Sequence, residues 1–285
     1  MQANQIWNQP ERQRNGVFAI AVLGEQKSQM TDGHIGDGLG DRISQGLHAG
    51  EFHVMFQGVY QVGTGRLSRA EAQVRWMHPQ YGLLLPGVFM PQLEQSEVAY
   101  HMSAFVVERA CHELSVCLGQ GLEPCPVSIG VCPSVAMSEG FARDVREIAQ
   151  SYGVAPNLLE LELPESEDSA RVLSVRSLTE GLRDLGVGMS YGEFGAGQAS
   201  LAGLGTLHID TVKLARELLA AVPGDPRSCK VVEGLLALFE ALDVRVVVSG
   251  VETGEQAQWL RQWHGVLAQG SFYSRAVRTL GGLLG

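Results

Sequence analysis

Basic charge is in short supply in this chain of 285 residues: 21 Lys and Arg stand against 31 Asp and Glu, giving a formal net charge of -10. A general binder of nucleic-acid backbones needs a basic face that displaces counterions, so that class is excluded; a small anion held by one or two arginines is not. Cysteine is scarce too. Cys111, Cys117, Cys125, Cys132 and Cys229 make an odd set with no CxxC pair. This argues against a disulfide framework or a zinc site and fits buried thiols in a reducing cytoplasm. The eight histidines are scattered, and His112-Glu113 lacks the second histidine of a zincin helix. The most apolar early run, Val17 to Leu23, is too short to cross a bilayer, and no small-residue cleavage pattern follows it. No membrane span is therefore expected. With 45% hydrophobic and 18% charged residues, wholesale disorder is excluded as well.

What is present organises itself around Glu71-Ala72-Gln73-Val74-Arg75-Trp76. After the turn signal Gly63-Thr64-Gly65 the residues alternate, so one strand carries Glu71, Gln73 and Arg75 on one face and Ala72, Val74 and Trp76 on the other. The polar face is either the solvated side of a hairpin or the wall of a site, with Arg75 forking onto a phosphate or carboxylate and Glu71 placed to hold a metal or a donor.

In chain order, residues 1–15 are polar and expected to be mobile. Gly16–Gly24 reads as a strand and Gln26–Gly40 as a glycine-punctuated linker. A short helix follows over Asp41–Ala49, with Asp41 as cap. Strands near Phe52–Val62 and Leu67–His78 are antiparallel neighbours across the Gly-Thr-Gly turn, and a long helix is expected over Ser96–Leu118. Then strands at Pro126–Val131, Leu158–Leu163, Gly186–Tyr191, His208–Leu214, Val244–Val248 and Gly265–Ala268 alternate with helices. Those helices are placed at Ser138–Tyr152, Asp168–Leu185, Gln198–Leu204, Arg227–Leu242 and Gly254–Trp263. Such strand-then-helix units build a parallel α/β sheet. Their number fits a closed (β/α) barrel, and no GxGxxG opens the first unit to favour an open dinucleotide fold. In a barrel the chemistry sits at the carboxyl ends of the strands. There the sequence puts Glu71, Arg75, Ser128, Glu162, Glu165, Glu193, Lys213, Ser249, Glu252 and Gln269, a set suited to a phosphodiester ligand.

These segments resemble the EAL family, the barrel phosphodiesterases and receptors of bacterial cyclic di-GMP. The resemblance covers residues 41–285 and leaves 1–40 as an amino-terminal extension. It rests on Phe56-Gln57 (YQP), EAQVRWMHP at 71–79 (EALxRWxHP), PGVFMPQLE at 86–94 (PxxFIPxAE), LELPES at 161–166 (LEITES), EFGAGQASL at 193–201 (DFGTGYSSL), Lys213, VVVSGVETGEQ at 246–256 (VVAEGVETxEQ) and QGSFYSR at 269–275 (QGYxFSRP). It implies a TIM-like (β/α) barrel of the EAL type, α/β in class, with an antiparallel first strand pair.

The resemblance also implies two divalent cations in active members, and here its ligand set is degenerate. Glu71 and Glu162 match, as does Lys213, which resembles the lysine that helps to activate water. The asparagine position is Ser128, the two aspartates are Gly192 and Glu193, and the later glutamate is Ser249. No resident metal or cofactor is therefore expected. The clamp on the nucleotide survives in Gln57, Arg75, Pro86 and Gln269, with Glu71, Glu162 and Glu252 beside it. Gln73 replaces the leucine that lies against the ligand, and Gln198 replaces a tyrosine. A buried amide in place of an apolar contact lowers affinity unless it finds a partner. The resulting expectation is an inactive signalling module that binds cyclic di-GMP, a protein partner, or both. A weak metal-dependent phosphodiesterase and a pure protein-interaction module are the alternatives. The family's two-fold barrel contact, with Glu165 steadying the loop after the Glu193 strand, implies a homodimer.

Overall fold

The computed structural model describes residues 39–90, 93, 97–197 and 201–284. The expected strand at Gly16–Gly24, nearly all of the linker before residue 41, and Pro91, Glu94 and Gln198 lie outside the described residues.

Nine strands are formed among them: β1 (Phe52–Gln61), β2 (Leu67–His78), β3 (Gly82–Leu84), β4 (Val127–Gly130), β5 (Leu159–Pro164), β6 (Gly188–Phe194), β7 (Thr211–Leu214), β8 (Arg245–Val248) and β9 (Leu267–Ala268). They are ordered β1-β9-β8-β7-β6-β5-β4-β2-β3, and the β1–β2 pairing closes the ring. The result is an eight-stranded barrel with β3 as an extra edge on β2. β1 runs antiparallel to both its neighbours, whereas the steps from β2 through β4 to β9 are all parallel. A short Gly-Thr-Gly turn allows only the antiparallel arrangement for the first pair, while each later step contains a helical crossover.

β2 keeps the alternation read from the sequence. Ala72, Val74 and Trp76 are buried, while Glu71, Gln73 and Arg75 are half-buried on the other face. Trp76 fixes the upper end. Its ring stacks on Phe52 at 4.9 Å, meets Phe89 edge-on at 5.6 Å, and donates Nε1–H to Glu51 at 2.8 Å. Glu51 accepts a fork from Arg42 at 2.7 and 2.9 Å, which ties α1 (Leu39–His48) to the barrel. α2 (Glu97–Gly119) packs against β1, β2 and β4 and forms one wall of the mouth.

Several boundaries differ from the sequence reading. α1 starts at Leu39, so Asp41 lies inside the first turn instead of capping it. The single helix expected over Asp168–Leu185 is two, α3 (Glu167–Ser174) and α4 (Arg176–Arg183), broken at an extended Val175. Neither Gly nor Pro marks that break, but Ser174 Oγ bonds back to Ala170 O at 2.7 Å and competes with the helix backbone there. The described part of the Gln198–Leu204 helix is a 3₁₀ stretch, Leu201–Thr206. β7 begins only at Thr211, whereas β6 runs on to Phe194 through a bulge between Tyr191 and Phe194.

Candidate binding site at the barrel mouth

The strand pairing brings the chemically active residues together. Glu71 on β2 is in register with Gln57 on β1 and Ser128 on β4, and Gly130 on β4 is in register with Glu162 on β5. Lys213 on β7 reaches into this set from the opposite wall. Its Nζ lies 2.9 Å from Glu71 Oε1, 3.2 Å from Glu162 Oε1 and 3.8 Å from Glu193 Oε1, and only 7% of its side chain is exposed.

An ammonium group thus sits among the carboxylates. Burial works against the charged lysine, but Glu162, Glu71 and Glu193 outweigh it and hold its pKa above the ordinary value. Glu71 is half-buried, with 19% of its side chain exposed, and burial works against its charge too. Lys213, with hydrogen bonds from Gln73 and Gln269, overcomes the burial and keeps its carboxyl below the usual range. For Glu162 burial prevails over the attraction of Lys213, and with the neighbouring Glu71 charge it pushes the carboxyl up to about 7.

The polar face of β2 is a connected network. Gln73 Nε2 donates to Gln57 Oε1 at 3.0 Å and to Glu71 Oε2 at 2.9 Å, and Gln73 Oε1 accepts from Arg75 Nη2 at 2.6 Å. Gln57 Nε2 donates to Ser274 O at 3.1 Å, and Gln269 Nε2 donates to Glu71 Oε2 at 2.7 Å. The amide that the sequence marked as costly is therefore satisfied on both its nitrogen and its oxygen. Arg75 also donates to Val74 O at 3.0 Å and forms no ion pair among the described residues, so a guanidinium is held in place without a carboxylate partner. Beside it opens a cavity of about 300 Å³ lined by Glu71, Gln73, Arg75, Pro86, Met102 and Ser103.

The positions at which the sequence departs from the family motifs have the following surroundings. At Gly192 a Cβ would lie 2.6 Å from Glu162 Oε1 and 2.7 Å from its Cγ, so the Glu162 side chain fills the space that an aspartate would need. Glu193 has a positive φ of 55° at the β6 bulge and a side chain 49% exposed, so its carboxylate stands at the rim. Ser249 Oγ is buried and donates to Leu214 O at 2.7 Å. Ser128 is buried between Glu71 and Glu160 in register. Glu252 is not part of the set: its side chain is exposed, and its backbone N–H donates to Gln256 Oε1 at 2.9 Å. Glu165 accepts from the Gly195 N–H at 3.2 Å and from that of Gly197, which shapes the loop after β6.

A pair of hard cations does not fit this donor set. Gly192 offers no oxygen, Ser249 is committed to the backbone, and the three remaining carboxylates already surround an ammonium group. One polar layer and one lining residue of the cavity, Ser103, went unread in the sequence. Below the site, Glu160 accepts from Arg69 Nη1 at 2.7 Å and from Thr211 Oγ1 at 2.8 Å. The alternation in Leu159-Glu160-Leu161-Glu162 was the available signal, since both acids share the inward parity. Ser103 on α2 had none.

The raised Glu162 carboxyl makes a pH prediction. Its folded pKa lies above the unfolded one of ~4.3, so ionising it destabilises the fold as pH rises toward and through 7, and below the unfolded value that effect is absent. Glu162→Gln should stabilise the protein by about 1–3 kcal/mol at pH 8.5 and bring no gain near pH 4.5. Urea unfolding at the two pH values reads this, and equal destabilisation at both contradicts it.

The chain is thus a closed (β/α) barrel with an antiparallel first pair, and Gln57, Glu71, Arg75, Glu162 and Lys213 converge at its carboxyl-end mouth. The EAL domain family matches residues 41–276, and the chain belongs to that family. The chain is 32% identical over 237 residues to the cyclic di-GMP phosphodiesterase NbdA of Pseudomonas aeruginosa, covering 83% of this chain and 30% of that protein. It therefore spans under a third of NbdA's length. It is also 32% identical over 236 residues to the uncharacterized protein Rv1357c of Mycobacterium tuberculosis, covering 81% of this chain and 77% of that one. Among solved structures, the PaMucR phosphodiesterase in complex with c-di-GMP superposes with a TM-score of 0.75 at 27% identity, over 83% of this chain and 96% of the other. Among the described residues no helix is long and apolar enough to cross a membrane.

Proposed function

We propose that this chain is a non-hydrolysing EAL domain that binds cyclic di-GMP at the barrel mouth without divalent cations. Residues 41–285 act as the domain, in a reducing cytoplasm where its five buried cysteines stay free. One observation carries the reading: the Lys213 ammonium lies amid Glu71, Glu162 and Glu193, supplying the positive charge that cations supply in a metal-assisted site. Without a metal to depress the pKa of bound water, the lysine has no nucleophile to activate, and its raised pKa keeps it protonated and unable to accept a proton. The ligand side is supported by the ordered Gln57–Gln73–Arg75 network and by the cavity beside Pro86.

With Mg²⁺ or Mn²⁺ present, the protein should not accumulate linear dinucleotide over multiple turnovers. Multiple-turnover product that Glu71→Ala abolishes would overturn the assignment in favour of a weak phosphodiesterase. The combined variant Ser128→Asn, Gly192→Asp, Glu193→Asp, Ser249→Glu is the complementary test. It also has to displace Glu162, because of the 2.6 Å approach at residue 192.

The output of such a receptor is a protein contact, with a second copy or with another signalling protein, through the loop that Glu165 holds after β6. Sedimentation that shows only monomer, with and without nucleotide, removes the self-contact.

A further inference from the structure

β6 turns its smallest residues, Gly188, Ser190 and Gly192, toward the barrel axis, because strand side chains alternate. A Cβ at Gly188 would lie 3.3 Å from Glu160 Cγ, and one at Gly192 would lie 2.6 Å from Glu162 Oε1. The two acids therefore lie across the β6 wall on either side of Ser190. Ser190 is 0% exposed, and its Oγ has no hydrogen-bond partner. A buried hydroxyl without a partner is costly and uncommon.

The acids that flank it belong to two ionic layers. In the lower layer Glu160 accepts from Arg69 and Thr211, with Arg245 Nη1 3.8 Å away. In the upper layer Glu162 meets Lys213, which also meets Glu71. Among the described residues no side-chain hydrogen bond joins the two layers. Between them Ser190 lines an interior space of about 10 Å³ together with Glu160, Glu162, Thr211 and Lys213. That is about the room one water molecule needs, and interior spaces with polar walls hold water, whereas dry ones are apolar.

We propose that this space is a binding site for a single structural water, which accepts from the Ser190 hydroxyl and bridges the Glu160 and Glu162 carboxylates. A buried water makes about three hydrogen bonds to groups that would otherwise lack a partner. Here it gives one proton to each carboxylate and takes one from Ser190, so donors and acceptors match. The pairing supports the placement: Ser190 is in register with Glu162 on β5 and with Thr211 on β7, at the join of the layers. The water makes one polar column of the barrel interior and holds Glu162 from below while Lys213 holds it from the facing wall. A monovalent cation would be drawn by the same carboxylates, but Arg69 and Lys213 line the same space and oppose a further positive charge.

The site rests on the barrel interior and does not depend on whether a nucleotide binds at the mouth. Its test is a high-resolution crystal structure of the full chain, with a second crystal soaked in thallium(I) as the probe for a monovalent cation. One ordered solvent peak is expected at about 2.6–3.2 Å from Ser190 Oγ and from an oxygen of each carboxylate, with no anomalous thallium signal there. In solution, water-oxygen relaxation dispersion should lose the contribution of about one long-lived internal water in Ser190→Val, whose extra methyl takes the space. Circular dichroism certifies that the variant is folded. Ser190→Cys, whose bulkier and weakly bonding sulfur takes the same space, serves if the valine variant does not fold. The absence of a solvent peak overturns the proposal, as does a Ser190 hydroxyl bonded directly to either carboxylate. A thallium peak at the site, or equal dispersion in parent and variant, overturns it as well.

Discussion

Lys213→Met is expected to destabilise the fold by about 3–5 kcal/mol, the loss typical of removing one partner from a buried ion pair. The methionine side chain fills a similar volume, so the loss is electrostatic: Glu71 and Glu162 remain largely out of solvent with no cation between them. Both carboxyls must then take up protons or leave the interior. In the variant their folded pKa values rise above the unfolded ones, so its stability falls as pH rises, and the deficit should be larger at pH 8 than at pH 5.5. In the parent the raised Lys213 pKa contributes stability that is fully present below ~10.4 and lost only above that. Over the working range, then, the parent's lysine does not titrate. Urea unfolding at the two pH values measures both effects. A loss under ~1 kcal/mol would mean that the ammonium does not hold the site together.

Arg75→Ala should weaken cyclic di-GMP binding by roughly 10- to 100-fold, from a charge-assisted pair worth about 1.5–3 kcal/mol. Arg75 is suited to this because it is steadied by Gln73 Oε1 and Val74 O yet lacks a carboxylate partner among the described residues. Ser249→Ala is the control: its hydroxyl is committed to Leu214 O, so the affinity should change less than threefold. Equal losses in the two variants, or none in either, would contradict the role given to Arg75. The alanine variants should be compared at equal salt, since the ligand carries two phosphates and exposed charges are screened.

Much of this was legible in the chain itself. The parity of Glu71, Gln73 and Arg75 against Ala72, Val74 and Trp76 placed three polar groups on one face, because strand side chains alternate by geometry alone. The repeated strand-then-helix units gave the barrel, and the barrel rule put the site at the strand ends. What escaped the sequence came from contacts between distant segments or from local competition. Gln73 is 16 residues from Gln57, so that its amide is satisfied depends on the β1–β2 register. That Lys213 lies among three acids depends on β2, β5, β6 and β7 meeting around one axis. The break at Val175 and the bulge at Gly192-Glu193 are local, but neither has a proline to announce it. Glu252, a motif position expected beside the ligand, has its side chain in solvent and its backbone N–H on Gln256.

The most direct test of a metal-independent receptor is one calorimetric titration of cyclic di-GMP into the purified chain, run once in EDTA and once in Mg²⁺, with the product analysed afterwards. The account predicts saturable binding in both, with dissociation constants within about threefold of each other and the nucleotide recovered intact. Binding that requires Mg²⁺, recovery of linear dinucleotide, or no saturation in either condition would contradict it.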